Sequence, residues 1–144
     1  YGLETVVLRY FNVFGLRSPT RGQYAPVIGI FNRQRDAGEP LTIVGDGSQR
    51  RDFVHVEDVA RANYIASIMS LKKDGNDYSG EVFNVGSGKN YSIQEIADVI
   101  SKNQVYIDRR DGEMDTTLAN ITKIDSVMGW KPEIDVLEWV KDKL

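Results

Sequence analysis

Cysteine is absent from the 144 residues, which excludes disulfides and thiolate metal sites. Histidine occurs once, at His55, too sparse for a His-based zinc site or a Ser-His-Asp triad. Basic residues are not in excess: 18 Lys and Arg stand against 21 Asp and Glu, with a net charge of −3 and a pI near 5.2. A general nucleic-acid surface needs the opposite balance, so no nucleic-acid partner is expected. No apolar run approaches the roughly 20 residues of a membrane-spanning helix, and the opening residues lack a signal-peptide pattern. No membrane partner is therefore expected, and a cytoplasmic location is the default expectation. Repeats and low-complexity tracts are also missing.

What remains is 41% hydrophobic and 27% charged, the composition of an ordinary globular domain. The opening is abrupt. Thr5-Val6-Val7-Leu8-Arg9-Tyr10-Phe11 is a β-branched and aromatic run of the kind found in a strand buried on both faces. Such a strand needs neighbours on either side, so the chain is expected to be a piece of something longer. In isolation, Val6, Val7 and Leu8 would leave an apolar pairing edge prone to self-association.

Gly15 to Gly22 reads as a loop, Val27 to Asp36 as a helix stopped by Ala37-Gly38, and Leu41 to Val44 as a strand before the Gly45-Asp46-Gly47 turn. Asp52 to Val56 reads as extended, and small or apolar residues at helical spacing predict a helix over Glu57 to Leu71. Lys72 to Gly80 is expected to be a polar surface loop, and Glu81 to Val85 a strand running into Gly86-Ser87-Gly88. Ser92 and Glu95 fit a capping box for a helix with its stripe at Ile93, Ile96, Ala97, Val99 and Ile100. Gln104 to Asp108 reads as a strand, Thr122 to Met128 as a helix ended by Gly129, and Val136 to Leu144 as a closing helix. Strands and helices alternate, so the fold class is α/β.

Paired arginines carry the strongest chemical suggestion. Arg50-Arg51 follows the Gly-Asp-Gly turn, and Arg109-Arg110 follows a predicted strand. The planar guanidinium suits a bidentate grip on phosphate oxygens, and two such groups from separate segments would make a diphosphate clamp. The competing reading is surface ion pairing with Asp46, Asp52, Asp108 or Asp111. Gly86-Ser87-Gly88 looks like half of a dinucleotide fingerprint, but Tyr91 stands where the third glycine belongs, so a plain turn is the stronger reading. His55, in a strand-like segment, reads as a hydrogen-bonded structural residue rather than a catalytic base. Asn12 lies inside an apolar run, where its amide either bonds to nearby backbone or serves a ligand at the carboxyl end of a strand. Trp130 and Trp139 read as core.

Four motifs in order resemble the NAD-dependent epimerase/dehydratase family, the extended short-chain dehydrogenase/reductases, and within it the nucleotide-sugar 4-epimerases. They are Leu8 to Gly15 (LRYFNVFG), Gly45 to Val59 (GDGSQRRDFVHVEDV), Phe83 to Gly88 (FNVGSG), and Arg109 to Glu113 (RRDGE) leading into Gly129-Trp130-Lys131-Pro132. The resemblance covers essentially the whole chain and implies the C-terminal part of a Rossmann-type fold. Residues 1–16 and 53–86 would then supply late Rossmann strands and a helix, and 17–52 and 87–144 a small α/β substrate-binding subdomain.

The implied function is the substrate-binding portion of an isomerase acting on UDP-hexoses such as UDP-glucose and UDP-galactose, in carbohydrate metabolism. The resemblance implies roles residue by residue. Phe11 would lie near the nicotinamide of NAD, and Asn12 would hydrogen-bond the UDP-sugar. Pro26 and Val27 would meet the bound nucleotide, and the backbone of Thr42, Ile43 and Val44 would read the uracil edge. Arg51 and Arg110 would grip the diphosphate, Glu113 would contact the ribose side, and Thr117 would stand as a gate beside the hexose. A small gate residue would admit N-acetyl groups. Gly29 departs from a proline often found in the family, a change read as neutral to function.

The family's Gly-x-x-Gly-x-x-Gly loop has no counterpart here, and no tyrosine has a lysine four residues later. No catalytic residue is therefore expected in this chain, and NAD would be held mainly by a part it does not contain. The parent is expected to be a homodimer. A 4,6-dehydratase or decarboxylase of the same family, or a stand-alone sugar-nucleotide-binding module without catalysis, are the alternatives.

Overall fold

The structure, a computed structural model, describes residues 3–22, 25–109 and 112–143. Along the chain run β1 (Val7–Tyr10), β2 (Asn12–Phe14), α1 (Val27–Asp36), β3 (Leu41–Val44), β4 (Arg50–Arg51), β5 (Phe53–His55) and α2 (Val56–Ile68). There follow β6 (Lys72–Lys73), β7 (Asn76–Asp77), β8 (Val82–Val85), β9 (Tyr91–Ser92), α3 (Ile93–Ile100), β10 (Gln104–Ile107), α4 (Thr122–Met128) and α5 (Val136–Asp142). The α/β class is as expected. β1 lies parallel to β8, β2 to β5, and β3 to β10, while β4 and β9 form a short antiparallel pair.

The opening run does not form one strand buried on both faces. It divides at Phe11, because the backbone changes partners there. Phe11 N–H donates to the Val85 carbonyl (3.0 Å), and Asn12 N–H donates to the Asp52 carbonyl (3.1 Å). Asn12 thus sits where the chain leaves β8 for β5, between two diverging strands. β1 pairs with β8 along one edge among the described residues, and Val7 and Tyr10 are 52% and 46% exposed.

Two apolar clusters hold the fold. One gathers Phe14 and Phe53 with Phe31 of α1, Leu41 and Ile43 of β3, Ile96 and Ile100 of α3, and Val136 and Val140 of α5. The other joins Val54, Val59, Ala62, Phe83, Val85, Ile124 and Trp130. Trp130 is core, as expected, and its indole N–H donates to the Asp58 carbonyl (3.0 Å). Trp139 is only partly buried; it meets Phe14 edge-on and lies tilted against His55.

The segment 72–80 is not a plain loop. β6 and β7 form a hairpin whose turn residues Asp74 and Gly75 have φ of 52° and 79°, the positive pair that a type I′ turn requires. Gly29 has a packing reason. A Cβ there would come within 2.5 Å of the Pro19 carbonyl oxygen, so the bare glycine lets α1 lie against the 15–19 loop. No helix among the described residues is long and apolar enough to cross a membrane.

Candidate functional site

The site is built around a carboxylate that the sequence suggested only as a surface ion-pair partner for the arginines, and which is instead wholly buried. Asp52, fully buried between β4 and β5, accepts four hydrogen bonds. Its Oδ1 takes Ser87 N–H (2.6 Å) and Ser87 Oγ–H (2.9 Å), and its Oδ2 takes Gly88 N–H and Ala119 N–H, both at 3.0 Å. A carboxylate removed from water is tolerable when its lone pairs are filled in this way. Gly86 permits the approach, since a Cβ there would come within 2.4 Å of the Ala119 side chain. The Ser87 and Gly88 amides of the Gly86-Ser87-Gly88 loop therefore face an internal anion. The turn reading of that loop holds over the phosphate-cradle reading.

Asp52 also frames Asn12. Asn12 Nδ2 donates to the Asp52 carbonyl at 2.8 Å and, more weakly, to Thr117 Oγ1 at 3.4 Å. Thr117 Oγ1 in turn accepts from Asp52 N–H at 3.3 Å. The internal bond foreseen for Asn12 exists, and the residue still borders an open cavity. His55 is structural, as expected. It caps the N-terminus of α2, with its Nδ1 accepting from Glu57 N–H at 3.3 Å.

The arginines separate sharply. Arg50 is occupied: Nε and Nη2 donate to Asn90 at 2.9 and 2.8 Å, and Nη1 pairs with Glu95 at 3.1 Å. Arg109 pairs with Asp115 and donates to the Glu113 carbonyl. These two are ion-paired, though with Glu95 and Asp115 rather than with the acidic neighbours the sequence suggested. Arg51 differs, because its donors meet only neutral acceptors: the Arg50 carbonyl (2.9 Å), the Asp115 carbonyl (3.4 Å) and Gln49 Oε1 (3.1 Å). Among the described residues no carboxylate lies within ion-pairing distance of it. Arg110 lies outside the described residues.

Gln49 is a site residue the sequence reading missed. It is 8% exposed, and its Nε2 donates to Glu113 Oε2 at 2.8 Å. A signal was available. Gln49 and Arg51 are two apart on an extended segment and so share a face.

Arg51, Gln49 and Glu113 border a cavity of about 620 Å³, within the range of small-ligand pockets. Asn12, Pro26, Val27, Thr42 and Val44 line it as well, which brings together residues from widely separated parts of the chain. Ile43 points the other way and is wholly buried in the core, as alternation along β3 requires. Phe11, at the strand break, and Thr117 lie outside the lining, although Thr117 reaches Asn12. A second cavity of about 750 Å³, with Phe14, Pro19, His55 and Trp139 in its walls, adjoins the first but contains few of the expected residues. Among the described residues no cluster of His, Cys, Asp and Glu is placed to hold a metal ion.

The wall of the site is anchored by α3. Ser92 Oγ accepts from Glu95 N–H (3.0 Å) and Glu95 Oε2 accepts from Ser92 N–H (2.6 Å), the capping box expected from sequence. The bond from Ser92 N–H, then that from the Ser92 side chain and the Arg50 charge, hold the Glu95 carboxyl below its ordinary range. Tyr91 beside it is pushed up to about 12, by burial first and then by its bond to the Asp135 carboxylate.

Residues 1–86 match the model of the NAD dependent epimerase/dehydratase family. A protein of Methanocaldococcus jannaschii, provisionally named a UDP-glucose 4-epimerase, is 40% identical over 98% of this chain and 45% of its own length. The UDP-glucose 4-epimerase of Thermotoga maritima, solved with UDP-glucose, superposes with a TM-score of 0.83 at 35% identity, covering 98% of this chain and 45% of that one. The UDP-N-acetylglucosamine 4-epimerase of Methanobrevibacter ruminantium M1, solved with UDP-N-acetylmuramic acid, gives 0.81 at 37% identity, over 99% and 45%. The chain thus spans a little under half the length of these relatives.

Proposed function

The chain belongs to the NAD-dependent epimerase/dehydratase family, and from that premise we propose that it forms the sugar-nucleotide-binding portion of a UDP-hexose 4-epimerase. One observation carries the reading: Arg51, a cation with only neutral partners among the described residues, faces a cavity bordered by Asn12, Pro26, Val27, Thr42, Val44 and Glu113. An unpaired guanidinium held by carbonyls is pre-aimed at an anion, and a diphosphate supplies one. Arg110 would complete the clamp. The backbone of β3 around Ile43 would face the base, and Glu113 would accept from the ribose.

NAD dependence is a family property. The Ser87 and Gly88 amides already hold Asp52, so their loop is not free to cradle its pyrophosphate. Phe11 is the one residue we assign to the nicotinamide's neighbourhood. With no Tyr-x-x-x-Lys in the sequence, this chain would bind and orient the sugar nucleotide and leave the proton and hydride steps to the remainder of the parent.

We also assign Thr117 to the hexose end of the site, through its contact with Asn12. Its small side chain should admit an N-acetyl group. The parent is expected to turn over both UDP-glucose and UDP-N-acetylglucosamine, and Thr117→Tyr should abolish the second activity selectively. A parent that epimerises UDP-glucose but ignores the N-acetyl substrate would refute this assignment. The reading as a whole is tested by titrating the parent polypeptide with UDP, with Arg51→Ala and Arg110→Ala as the informative variants.

A further inference from the structure

We infer that Gln49 is a positioning residue for the bound sugar nucleotide, a neutral spacer that aims Arg51 while keeping its charge from being cancelled by Glu113. The inference rests on the UDP-sugar reading above and adds to it a residue and a physical role.

Gln49 lies between the two charged groups of the cavity. Its Oε1 accepts from Arg51 Nη2 at 3.1 Å, and its Nε2 donates to Glu113 Oε2 at 2.8 Å. The amide has one chemically sensible orientation. Turned over, it would set N–H against guanidinium and oxygen against carboxylate, losing both bonds. The side chain is 8% exposed, so neither bond is readily exchanged for water. Its backbone is fixed too, because the Gln49 carbonyl accepts from Ile93 N–H at 2.9 Å, at the capped start of α3.

The chemistry of the position follows from what else could stand there. A carboxylate would bind Arg51 directly, neutralise it and repel Glu113. A lysine would pair with Glu113 and push Arg51 away. An aliphatic side chain would leave both charged groups short of a partner and free to close on each other. A glutamine amide satisfies both and transfers no net charge, so Arg51 keeps its field for an anion and Glu113 keeps an oxygen for a hydroxyl.

The test uses the parent polypeptide that carries this chain, titrated calorimetrically with UDP and with uridine, in wild type, Gln49→Glu and Gln49→Met. Gln49→Glu should weaken UDP binding about tenfold or more at pH 7.5, with a much smaller loss for uridine, which has no diphosphate. The ratio of wild-type to variant affinity should hold steady down to pH 5 and shrink only below about pH 4, where a carboxyl paired with Arg51 begins to protonate and to resemble the amide. A merely structural role would not produce that convergence. Gln49→Met, which adds no charge, should lose several-fold in UDP affinity without the pH-dependent recovery. If both folded variants bind UDP as wild type does, or lose UDP and uridine equally, the inference is overturned. If wild type itself fails to bind UDP, the ligand reading fails first and the spacer role with it.

Discussion

A carboxylate taken wholly out of water persists only where donors fill its oxygens, and Asp52 meets that condition with Ser87, Gly88 and Ala119. Those bonds link the strand that carries Arg51 to the Gly86–Gly88 loop and to the segment carrying Thr117. Asp52 therefore shapes the site without facing its ligand. An amide in its place would turn N–H toward two backbone or hydroxyl donors, whichever way it lay. Asp52→Asn should destabilise the fold by about 3 kcal/mol or more, read as a lowered urea midpoint by circular dichroism. A change below about 1 kcal/mol would mean that water or rearrangement satisfies the loop instead. Arg50 and Arg51 make the same point. They are chain neighbours of one type, yet one is paired with Glu95 and Asn90 and the other meets neutral acceptors. Sequence proximity to acidic residues could not separate them, because their distant partners are Asn90, Glu95 of α3 and the Asp115 carbonyl.

Among the elements, α3 shows most directly how a local signal fixes part of a site. Its capping box was legible in Ser92 and Glu95, and it holds the helix whose first residue donates its N–H to the Gln49 carbonyl. The Glu95 carboxyl is held below its ordinary range, so its stabilising contribution is fully present above the unfolded value, near 4.3, and is lost as pH falls through the lower folded value. Between roughly pH 5 and pH 3, Glu95→Gln should therefore lose less stability than wild type, a difference readable in parallel pH-dependent thermal melts. Equal slopes would assign acid sensitivity to other carboxylates. Elements with strong periodicity or clear stop signals, such as α1 with Gly38 and α4 with Gly129, were readable from sequence. The β6–β7 hairpin was not, since two-residue strands of Lys, Asn and Asp carry no apolar alternation; only Asp74-Gly75 pointed to it. The division of the first run at Phe11 was hidden for another reason. It depends on backbone bonds to Val85 and Asp52, far away in sequence.

At the scale of the whole molecule, the cavity exists because distant segments converge: the strand break at Asn12, the opening of α1, β3, the Gln49–Arg51 segment and Glu113. Motif resemblance found most of these residues. It did not find Gln49 and Asp52, whose roles lie in bonds between segments rather than in any local pattern. Val7 and Tyr10 of β1 are exposed, and the chain is a little under half as long as the relatives it matches. The central claim is that Arg51, and not its neighbour Arg50, faces the anionic part of a sugar nucleotide. Calorimetric titration of the parent polypeptide with UDP tests it most directly. Arg51→Ala should weaken binding about tenfold or more while Arg50→Ala, if folded, changes it by less than about threefold. Equal affinities for wild type and Arg51→Ala would contradict the account.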